Sequence, residues 1–424
     1  MPHRRGVRAL WRRPPEQSAR LRPRIGGAFR TLCLRAHFRC GTFCEACGIR
    51  RAPASRVRAT KFALLQCQGP RTPAAHRVPF RRLLLPRRNA IHAPGARVAR
   101  SCEVYCYSTT DTPDSYTRQI SARTDVWRPA AGLSPTQMAE AIAGDEIDIL
   151  VDLSGHSGVP QLAAMAQRPA PVQVTWLGYL NTTGLTRIQY RISDRFADPP
   201  GVTDRYHTEA LVRLPHSQWS YRPFISLPVA ATPPSAKKGF VTFGAFHQAA
   251  KISPAARRLW AQILTEVSDS RLLVVGVPRG RAEDDLLRDL AVCVPYASLQ
   301  EYFRSFEAVD IALDSMPYSG GTTTCDALWM GVPVVTVPGS RSVSRSATSV
   351  LSTVGLPEWI APSAAEYVRS AVRFAGERGL LAELRGSLRE RMLASPLMDE
   401  ERFTRDLEQA YREMWRKWCE GDPA

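Results

Sequence analysis

The stretch best suited to chemistry is a run of small residues, Ser319-Gly320-Gly321-Thr322-Thr323-Thr324, that follows an apolar strand and opens a helix. Glycines let a backbone approach a ligand closely, and the first N–H groups of a helix are unpaired donors. Both features favour an anion, so the run predicts a diphosphate site. The pattern G-x4-G-K-[ST] is absent, so this is not a Walker loop. An ordinary helix capped by threonine remains the alternative interpretation.

A second polar group follows the strand that ends near Phe243, in the segment FGAFHQAAKISP of residues 243–254. Pro254 is a typical first residue of a helix, so the polar residues lie between a strand and a helix. Ligands of open parallel sheets bind beyond the carboxyl ends of the strands. The pattern therefore predicts that Lys251 can neutralise a phosphate, the alternative being a solvated lysine before a helix.

The elements that must position these residues alternate between strand and helix. Apolar runs predict strands, and three- and four-residue spacing predicts helices. The predicted strands cover residues 104–107, 147–152, 172–176, 188–193, 211–214, 241–243, 271–275, 310–314 and 333–337. The predicted helices cover residues 134–143, 254–264, 299–306 and 322–330, followed by a helical end from 364 to about 419. This alternation predicts an α/β protein with parallel sheets covered on both faces.

Most of the charge lies at one end of the chain. The formal net charge of the 424 residues is +18. Residues 1–100 contain 24 Lys and Arg but only Glu16 and Glu45, whereas the remaining 324 residues contain 33 basic and 37 acidic side chains. A nucleic-acid protein carries its basic residues on its folded binding face. We therefore expect no nucleic-acid partner, although a basic nucleic-acid-binding protein remains the third-ranked alternative.

The sequence contains no apolar run long enough for a transmembrane helix and no apolar stretch typical of a secretory signal. Because there is no such apolar run, we expect no membrane partner. Ten cysteines in a chain of this length do not indicate a disulfide scaffold, so we expect the protein to lie in the reducing cytoplasm. A group of possible zinc ligands lacks the second paired motif of a zinc site, and no metal is predicted. The group comprises Cys33, His37, Cys40, Cys44 and Cys47.

Three long stretches resemble signature segments of the O-GlcNAc transferase/SPINDLY family. They are RPAPVQVTWLGYLNTTG at residues 168–184, FGAFHQAAKISP at 243–254 and DIALDSMPYSGGTTTCDALWMGVPVVTVPG at 310–339. The resemblance covers residues 102–419. It implies a GT-B fold, with two Rossmann-like domains facing a cleft and terminal helices that return to the first domain. It also implies an inverting, metal-independent transferase without cofactor, using UDP-GlcNAc (GDP-fucose in plant SPINDLY) and a protein or peptide acceptor.

The resemblance also implies roles for individual residues. Lys251 matches the lysine that contacts the diphosphate and matters most for catalysis, and Asp326 matches an aspartate at the nucleoside. Tyr302 lies where animal enzymes have a histidine stacked on the base, and its ring is suited to stacking. The remaining donor-binding candidates are Gln248, Asn181, Thr182, Gly320, Gly321, Thr322 and Thr323.

The sequence departs from the family at several positions. Gly321 replaces a histidine of the animal members, and Asp148 replaces a histidine near the acceptor. Asp148 and His156 are the catalytic candidates on the acceptor side, with Asp145 as a weaker one, and no general base is assigned. The family's leading strand and S-x-D-F-x-x-H loop have no counterpart in residues 60–101.

These departures divide the chain into three predicted parts. Residues 1–100 form an atypical Arg-rich segment, predicted to be disordered or out of register, which leaves the first domain incomplete. Residues 101–232 form the rest of the acceptor-side domain, and residues 233–424 form the nucleotide-sugar domain with its terminal helices. The predicted function is GlcNAc transfer to Ser and Thr hydroxyls, and the alternative is an inactive remnant that only binds nucleotide.

Overall fold

The computed structural model describes residues 60–66, 102–157, 161–277, 291–295 and 298–421. The Cys33–Cys47 cluster and most of the Arg-rich segment lie outside these residues, and so do the predictions made for them. Within the described residues, no helix has both the length and the apolar character needed to cross a membrane.

The first sheet has seven strands, and every pair of neighbouring strands is parallel. Its spatial order is β3-β2-β1-β4-β5-β6-β7. The strands are β1 (Thr60–Gln66), β2 (Cys102–Ser108), β3 (Val126–Pro129), β4 (Ile149–Asp152), β5 (Val172–Thr175), β6 (Tyr190–Asp194) and β7 (Ala210–Leu214). Helices α1 (Ser115–Ser121), α2 (Pro135–Gly144) and α3 (Leu162–Met165) connect them. The near-continuous apolar strands, such as the buried Ile149-Leu150-Val151, are typical of a sheet covered on both faces.

Strand β1 was not predicted, because the composition of residues 1–100 argues against any core element. The segment TKFALLQ nevertheless pairs in parallel with β2 on one side and with β4 on the other. A short apolar run without a clear period is a weak signal for a strand. The Arg-rich segment 1–100 was predicted to leave the first domain incomplete. In this structure it supplies β1, a central strand of the first sheet.

The second sheet has five parallel strands in the order β10-β9-β8-β11-β12. They are β8 (Thr242–Ala245), β9 (Arg271–Val275), β10 (Ala291–Val294), β11 (Ile311–Leu313) and β12 (Val334–Val335). The helices of this half are α4 (Ser235–Lys238), α5 (Pro254–Glu266), α6 (Leu299–Ser305), α7 (Thr322–Trp329) and α8 (Ser346–Val354). Helix α4 lies inside the stretch 224–239, which is rich in Pro, Ala and Ser.

The terminal helices are α9 (Ala364–Gly376), α10 (Arg378–Leu393) and α11 (Glu400–Glu420). Helix α11 packs on β5 and β7 of the first sheet, where the Trp176 and Phe403 rings stack at 5.6 Å. The Arg222 guanidinium forms an ion pair with Glu400 at the start of the same helix. The chain therefore returns to its first half, and one continuous core includes side chains of both sheets.

Candidate functional site

The loops that follow β8 and β11 meet, because these two strands are neighbours in the second sheet. A bridge pairs Ile252 with Pro317, and the Ser253 hydroxyl donates to the Met316 carbonyl. The carboxyl ends of parallel strands lie at the same edge of a sheet. This geometry brings together two segments that are about 65 residues apart in the sequence, as their motifs predict.

Asp314 organises the loop between β11 and α7. Its side chain is 3% exposed and accepts hydrogen bonds from the Gly320 N–H at 2.7 Å and the Ser315 N–H at 2.9 Å. The hydroxyls of Ser319 and Thr336 donate to its other oxygen at 2.6 and 2.7 Å. Four donors to one buried carboxylate fix the path of the loop up to the first turn of α7. Sequence reasoning placed Asp314 at the end of a strand but gave it no role.

Glycine is required at 320 and 321 because other groups approach closely. A Cβ on Gly320 would lie 2.6 Å from the Thr323 hydroxyl, and one on Gly321 would lie 2.4 Å from the Trp219 ring. Such distances leave no room for a side chain without a shift of its neighbours. The Trp219 ring thus explains why residue 321 is a glycine.

The first turn of α7 has no side-chain cap. The carbonyl of Gly321 accepts the N–H groups of Thr324 and Cys325. The N–H groups of Thr322 and Thr323 belong to the part of a helix that has no carbonyl partner in the helix itself. Both residues are half-buried. The arrangement therefore suits an anion, as the small-residue run predicts.

Lys251 reaches the same loop from the other side. It ends a single 3-10 turn, Ala249–Lys251, and its Nζ lies 4.0 Å from the centre of the Tyr318 ring. Burial lowers the pKa of Lys251 to about 8, although the charge of Asp314 opposes this shift. The ammonium and the opening of α7 are thus both held next to Asp314. Gln248 begins the same turn and is exposed.

His247 is a neighbour that sequence reasoning missed. Its side chain is 6% exposed, and Nε2 lies 3.6 Å from an Asp314 carboxylate oxygen. Burial lowers the pKa of His247 and the charge of Lys251 lowers it further, while Asp314 acts in the opposite direction. Its position next to FGAF and Lys251 was the available signal, but a buried histidine after a strand is not specific.

Asp326 lies one helical turn further along α7 and is 3% exposed. Its two carboxylate oxygens accept hydrogen bonds from the hydroxyls of Tyr221 at 2.8 Å and Tyr302 at 2.9 Å. Burial raises the pKa of Asp326 to about 7, and the two tyrosine bonds lower it by less. The carboxyl group links α6, α7 and the segment that connects the two sheets.

The Tyr302 ring is more buried than expected for a ring that stacks on a nucleotide base. The ring is 7% exposed and makes edge contacts with Phe246, Phe303 and Phe306. Its hydroxyl is the group that reaches Asp326. Stacking of Tyr302 on a base therefore stays a prediction, and in this structure its role is to position Asp326.

Tyr179 of the first half lies near this loop and also contacts His156. The pKa of Tyr318 is raised by burial and, to a smaller extent, by the charge of Tyr179, which follows β5. The Tyr179 ring makes an edge contact with His156 at 5.0 Å. The Nε2 atom of His156 lies 2.9 Å from the carbonyl of Thr183, to which it donates. His156 is exposed.

Asn181 and Thr182 lie in the loop after β5, at the same edge of the first sheet. The carbonyl of Asn181 accepts a hydrogen bond from buried Arg191 at 2.9 Å. The Thr182 hydroxyl donates to Glu209 at 2.8 Å. These contacts shape the loop, and direct binding of the donor by either residue stays a prediction.

Asp148 lies far from His156, which contradicts its predicted catalytic role. It precedes β4, and its carbonyl accepts the Val172 N–H at 3.2 Å, at the amino ends of β4 and β5. Its charge acts on Cys419 in α11. His156 follows the other end of β4, and four residues of strand span about 13 Å. Substrates bind at carboxyl ends, so Asp148 lies at the wrong end of the sheet.

Asp145 likewise has a structural role. It accepts two hydrogen bonds from Arg128 at 2.7 and 3.0 Å and one from the Tyr107 hydroxyl at 2.6 Å. Among the residues that the structure describes, no group of three or more His, Cys, Asp or Glu side chains is arranged to hold a metal ion.

Comparison with known proteins gives a consistent result. A sequence model described as glycosyl transferase family 41 matches residues 90–220 and 235–407. A barley (Hordeum vulgare) protein named probable UDP-N-acetylglucosamine–peptide N-acetylglucosaminyltransferase SPINDLY is 42% identical over 337 residues. That match covers 76% of this chain and 36% of the barley protein. The chain thus spans about a third of the length of the curated relatives it matches.

Solved structures agree with the sequence comparison. An O-GlcNAc transferase variant of Thermobaculum terrenum matches with a TM-score of 0.74 and 33% identity, over 86% of this chain and 69% of that one. Sucrose-phosphate synthase of Thermosynechococcus elongatus matches with a TM-score of 0.55 and 14% identity, over 84% of this chain and 99% of that one, which shows a shared fold only. The two-sheet architecture is the GT-B fold predicted from the sequence.

Proposed function

The chain belongs to glycosyl transferase family 41, and we propose that it transfers GlcNAc from UDP-GlcNAc to serine and threonine hydroxyls of proteins. One observation carries this proposal. Lys251 and the open first turn of α7 both lie against the loop that Asp314 organises, at the carboxyl ends of β8 and β11. The name of the barley relative gives the donor and the peptide acceptor that this site would serve, and the name of the bacterial relative gives the transferred group, O-GlcNAc.

The proposed reaction inverts the anomeric carbon. The acceptor hydroxyl attacks that carbon from the face opposite the diphosphate, and the C–O bond to the diphosphate breaks as the new C–O bond forms. The departing negative charge would be stabilised by the Lys251 ammonium and by the N–H groups of Thr322 and Thr323. Preorganised donors of this kind are typically worth about 2.7–4 kcal/mol each. We propose that they perform the task that a metal ion performs in other phosphate chemistry.

The acceptor side of the proposal rests on His156. Because its Nε2 donates to the Thr183 carbonyl, a neutral ring has its free acceptor at Nδ1. A neutral histidine with a free ring nitrogen is suited to take a proton from an attacking hydroxyl. Gln248, Asn181 and Thr182 complete the proposed donor site, with Asp326 and Tyr302 on the nucleoside side.

Calorimetric titration with UDP tests the donor site, with GDP as a second titrant to identify the base. We expect UDP to bind the unchanged chain and to bind the Lys251→Ala variant at least tenfold more weakly. Lys238→Ala is the matched control, since Lys238 is an exposed lysine at the opposite end of β8. Equal affinity of the unchanged chain and Lys251→Ala would contradict the proposed site.

A transfer assay with UDP-GlcNAc and a serine-containing peptide tests the reaction itself. We expect GlcNAc on the peptide with the unchanged chain and none with Lys251→Ala. The second candidate function, a protein that binds nucleotide without transfer, is favoured by the missing S-x-D-F-x-x-H loop. UDP binding without detectable transfer would select that candidate, and salt-sensitive binding of RNA without UDP binding would favour the nucleic-acid alternative.

On the composition of the chain, we propose that the protein acts in the cytoplasm.

A further inference from the structure

Tyr318 lies directly below the Lys251 ammonium. The Lys251 Nζ is 4.0 Å from the centre of the Tyr318 ring, the shortest lysine-to-ring distance among the described residues. A cation over the face of an aromatic ring is attracted by the negative potential of that face. The Tyr318 ring is half-buried, so water weakens this attraction less than at an open surface.

The two side chains are held together by their backbones. Ile252, the residue after Lys251, pairs with Pro317, the residue before Tyr318. The Ser253 hydroxyl donates to the Met316 carbonyl, and the Ser315 hydroxyl donates to the carbonyl of Tyr318 at 2.6 Å. These backbone contacts hold the residue Tyr318 next to the turn that carries Lys251.

The charged and titratable groups around Lys251 come from three segments, the loops after β11, β8 and β5. Asp314, after β11, favours the charged form of the Lys251 amine. The charge of Lys251 in turn disfavours the protonated form of His247, which follows β8. Tyr179 of the first half raises the pKa of Tyr318 through its charge. Asp314 already accepts four hydrogen bonds from its own loop. Its charge is therefore shared among several donors, and the Tyr318 ring supplies a further surface that attracts the cation.

We propose that Tyr318 is a positioning residue whose ring face holds the Lys251 ammonium at the diphosphate site while no donor is bound. This inference rests on the proposed function, because it assigns the held cation to the leaving diphosphate. The ring restricts the rotamers of the flexible lysine stem, so less conformational freedom of the cation has to be lost when the donor binds. Tyr318 does not touch the reacting atoms, so it acts only through Lys251.

The first test measures Lys251 without any nucleotide. Pulse acetylation at a series of pH values, read by peptide mass spectrometry, gives the pH midpoint at which the Lys251 amine becomes reactive. The expected midpoint of the unchanged chain is about 8. We expect Tyr318→Leu to lower it by about half a pH unit or more, because loss of a cation–π contact favours the neutral amine. Tyr318→Phe keeps the ring face and should keep the midpoint.

The control variant is Phe240→Leu, which removes the ring near Lys238 and Arg271 at the amino end of β8. It should leave the Lys251 midpoint unchanged. If Tyr318→Leu fails to fold, 3,4,5-trifluorophenylalanine at position 318 keeps the ring shape but weakens its negative face, and it should lower the midpoint relative to Phe. An unchanged midpoint in Tyr318→Leu, or in the fluorinated variant where Leu does not fold, would overturn the proposal.

The second test measures UDP affinity of the same variants by calorimetry. We expect Tyr318→Leu to weaken binding at pH 8 by about threefold to tenfold and Tyr318→Phe to bind as the unchanged chain does. Failure of UDP to bind the unchanged chain would contradict the proposed function. An unchanged Lys251 midpoint would contradict only the role of Tyr318, so the two failures are distinguishable.

Discussion

Lys251 makes the proposed donor binding depend on pH at the scale of a single residue. Its pKa is lowered to about 8 by burial, so the free protein loses this charge within an accessible pH range. A diphosphate favours the charged amine, and binding above pH 8 therefore requires uptake of a proton. The lysine that the motif identifies is thus also the group whose titration reports on the site.

We predict that UDP affinity is nearly constant below pH 8 and falls by up to about tenfold per pH unit above it. Calorimetry between pH 7 and 9 measures this dependence. Lys251→Met should bind weakly at every pH and should lack the additional alkaline decrease. Persistence of the same decrease in Lys251→Met would assign it to another group.

Asp326 affects stability because a buried carboxyl group resists ionisation. Its pKa is raised from 3.8 to about 7 by burial, so the native state keeps a proton that the unfolded state has lost. Stability contributed by this group is therefore complete at low pH and decreases as the pH rises from about 4 to about 7.

We predict that Asp326→Asn becomes more stable relative to the unchanged chain as the pH rises from 4 to 7, by up to about 1.4 kcal/mol per pH unit. Urea unfolding at pH 5 and pH 7 measures the difference. A constant difference between Asp326→Asn and the unchanged chain would show that Asp326 is ionised throughout this range.

At the scale of the elements, the start of α7 depends on its contact with Trp219. A Cβ atom on residue 321 would lie only 2.4 Å from the Cη2 atom of the Trp219 ring. Trp219 itself is 4% exposed and follows β7, so it cannot move freely. The open first turn of the helix is therefore positioned by a residue from the first half of the chain.

We predict that Gly321→Ala destabilises the protein by about 1–3 kcal/mol, the usual cost of inserting an extra methyl group into a packed site. It should also weaken UDP binding, because the first turn of α7 has to shift. Trp219→Phe in the same chain should restore part of both losses by providing space. Denaturant unfolding and calorimetry of the double-variant cycle measure this coupling, and strictly additive effects would contradict it.

Strand β1 supplies the centre of the first sheet from a segment of unusual composition. Its backbone pairs on both sides, from Phe62 to Leu65 with β4 and over its whole length with β2. Backbone groups in a central strand open only when the sheet opens.

We predict that the amide hydrogens of Phe62–Leu65 exchange as slowly as those of Leu150 and Val151 in β4. Hydrogen exchange followed by mass spectrometry of the corresponding peptides measures this. Exchange of residues 62–65 at the rate of an unstructured peptide would remove β1 from the sheet and would leave the first domain incomplete, as its composition predicts.

At the scale of the whole molecule, buried polar contacts join the two halves. Asp194 of β6 is fully buried and accepts hydrogen bonds from the Ser349 hydroxyl of α8 at 2.6 Å and the Gln218 N–H at 3.0 Å. Arg345, just before α8, donates to the carbonyl of Phe196 at 2.9 Å. A buried carboxylate that loses a donor is costly, so these contacts hold the halves in one arrangement.

We predict that Ser349→Ala lowers the free energy of unfolding by about 1–3 kcal/mol, since one donor to a buried charge is lost. Ser352→Ala on the same helix, where the residue is half-buried, should change it by less than about 1 kcal/mol. Urea unfolding of both variants measures the difference. Equal effects would mean that the Asp194–Ser349 contact contributes little to joining the halves.

The sequence by itself determined the elements and the loops that carry the chemistry. Strand β9 (Arg271–Val275) has the predicted bounds, and α5 (Pro254–Glu266) begins at the predicted Pro254, because apolar periodicity and helix-capping residues act locally. The loop of Gly320 and Gly321 was also recognisable, since backbone approach requires small residues wherever the loop lies.

Only the tertiary structure decided which side chains meet. Tyr221 reaches Asp326 across 105 residues of sequence, Trp219 fills the space beside Gly321, and Tyr318 lies under Lys251. It also placed Asp148 at the opposite end of β4 from His156 and put β1 into the centre of a sheet. These outcomes depend on how strands pair and how loops pack over long separations, which the period and composition of a local segment do not encode.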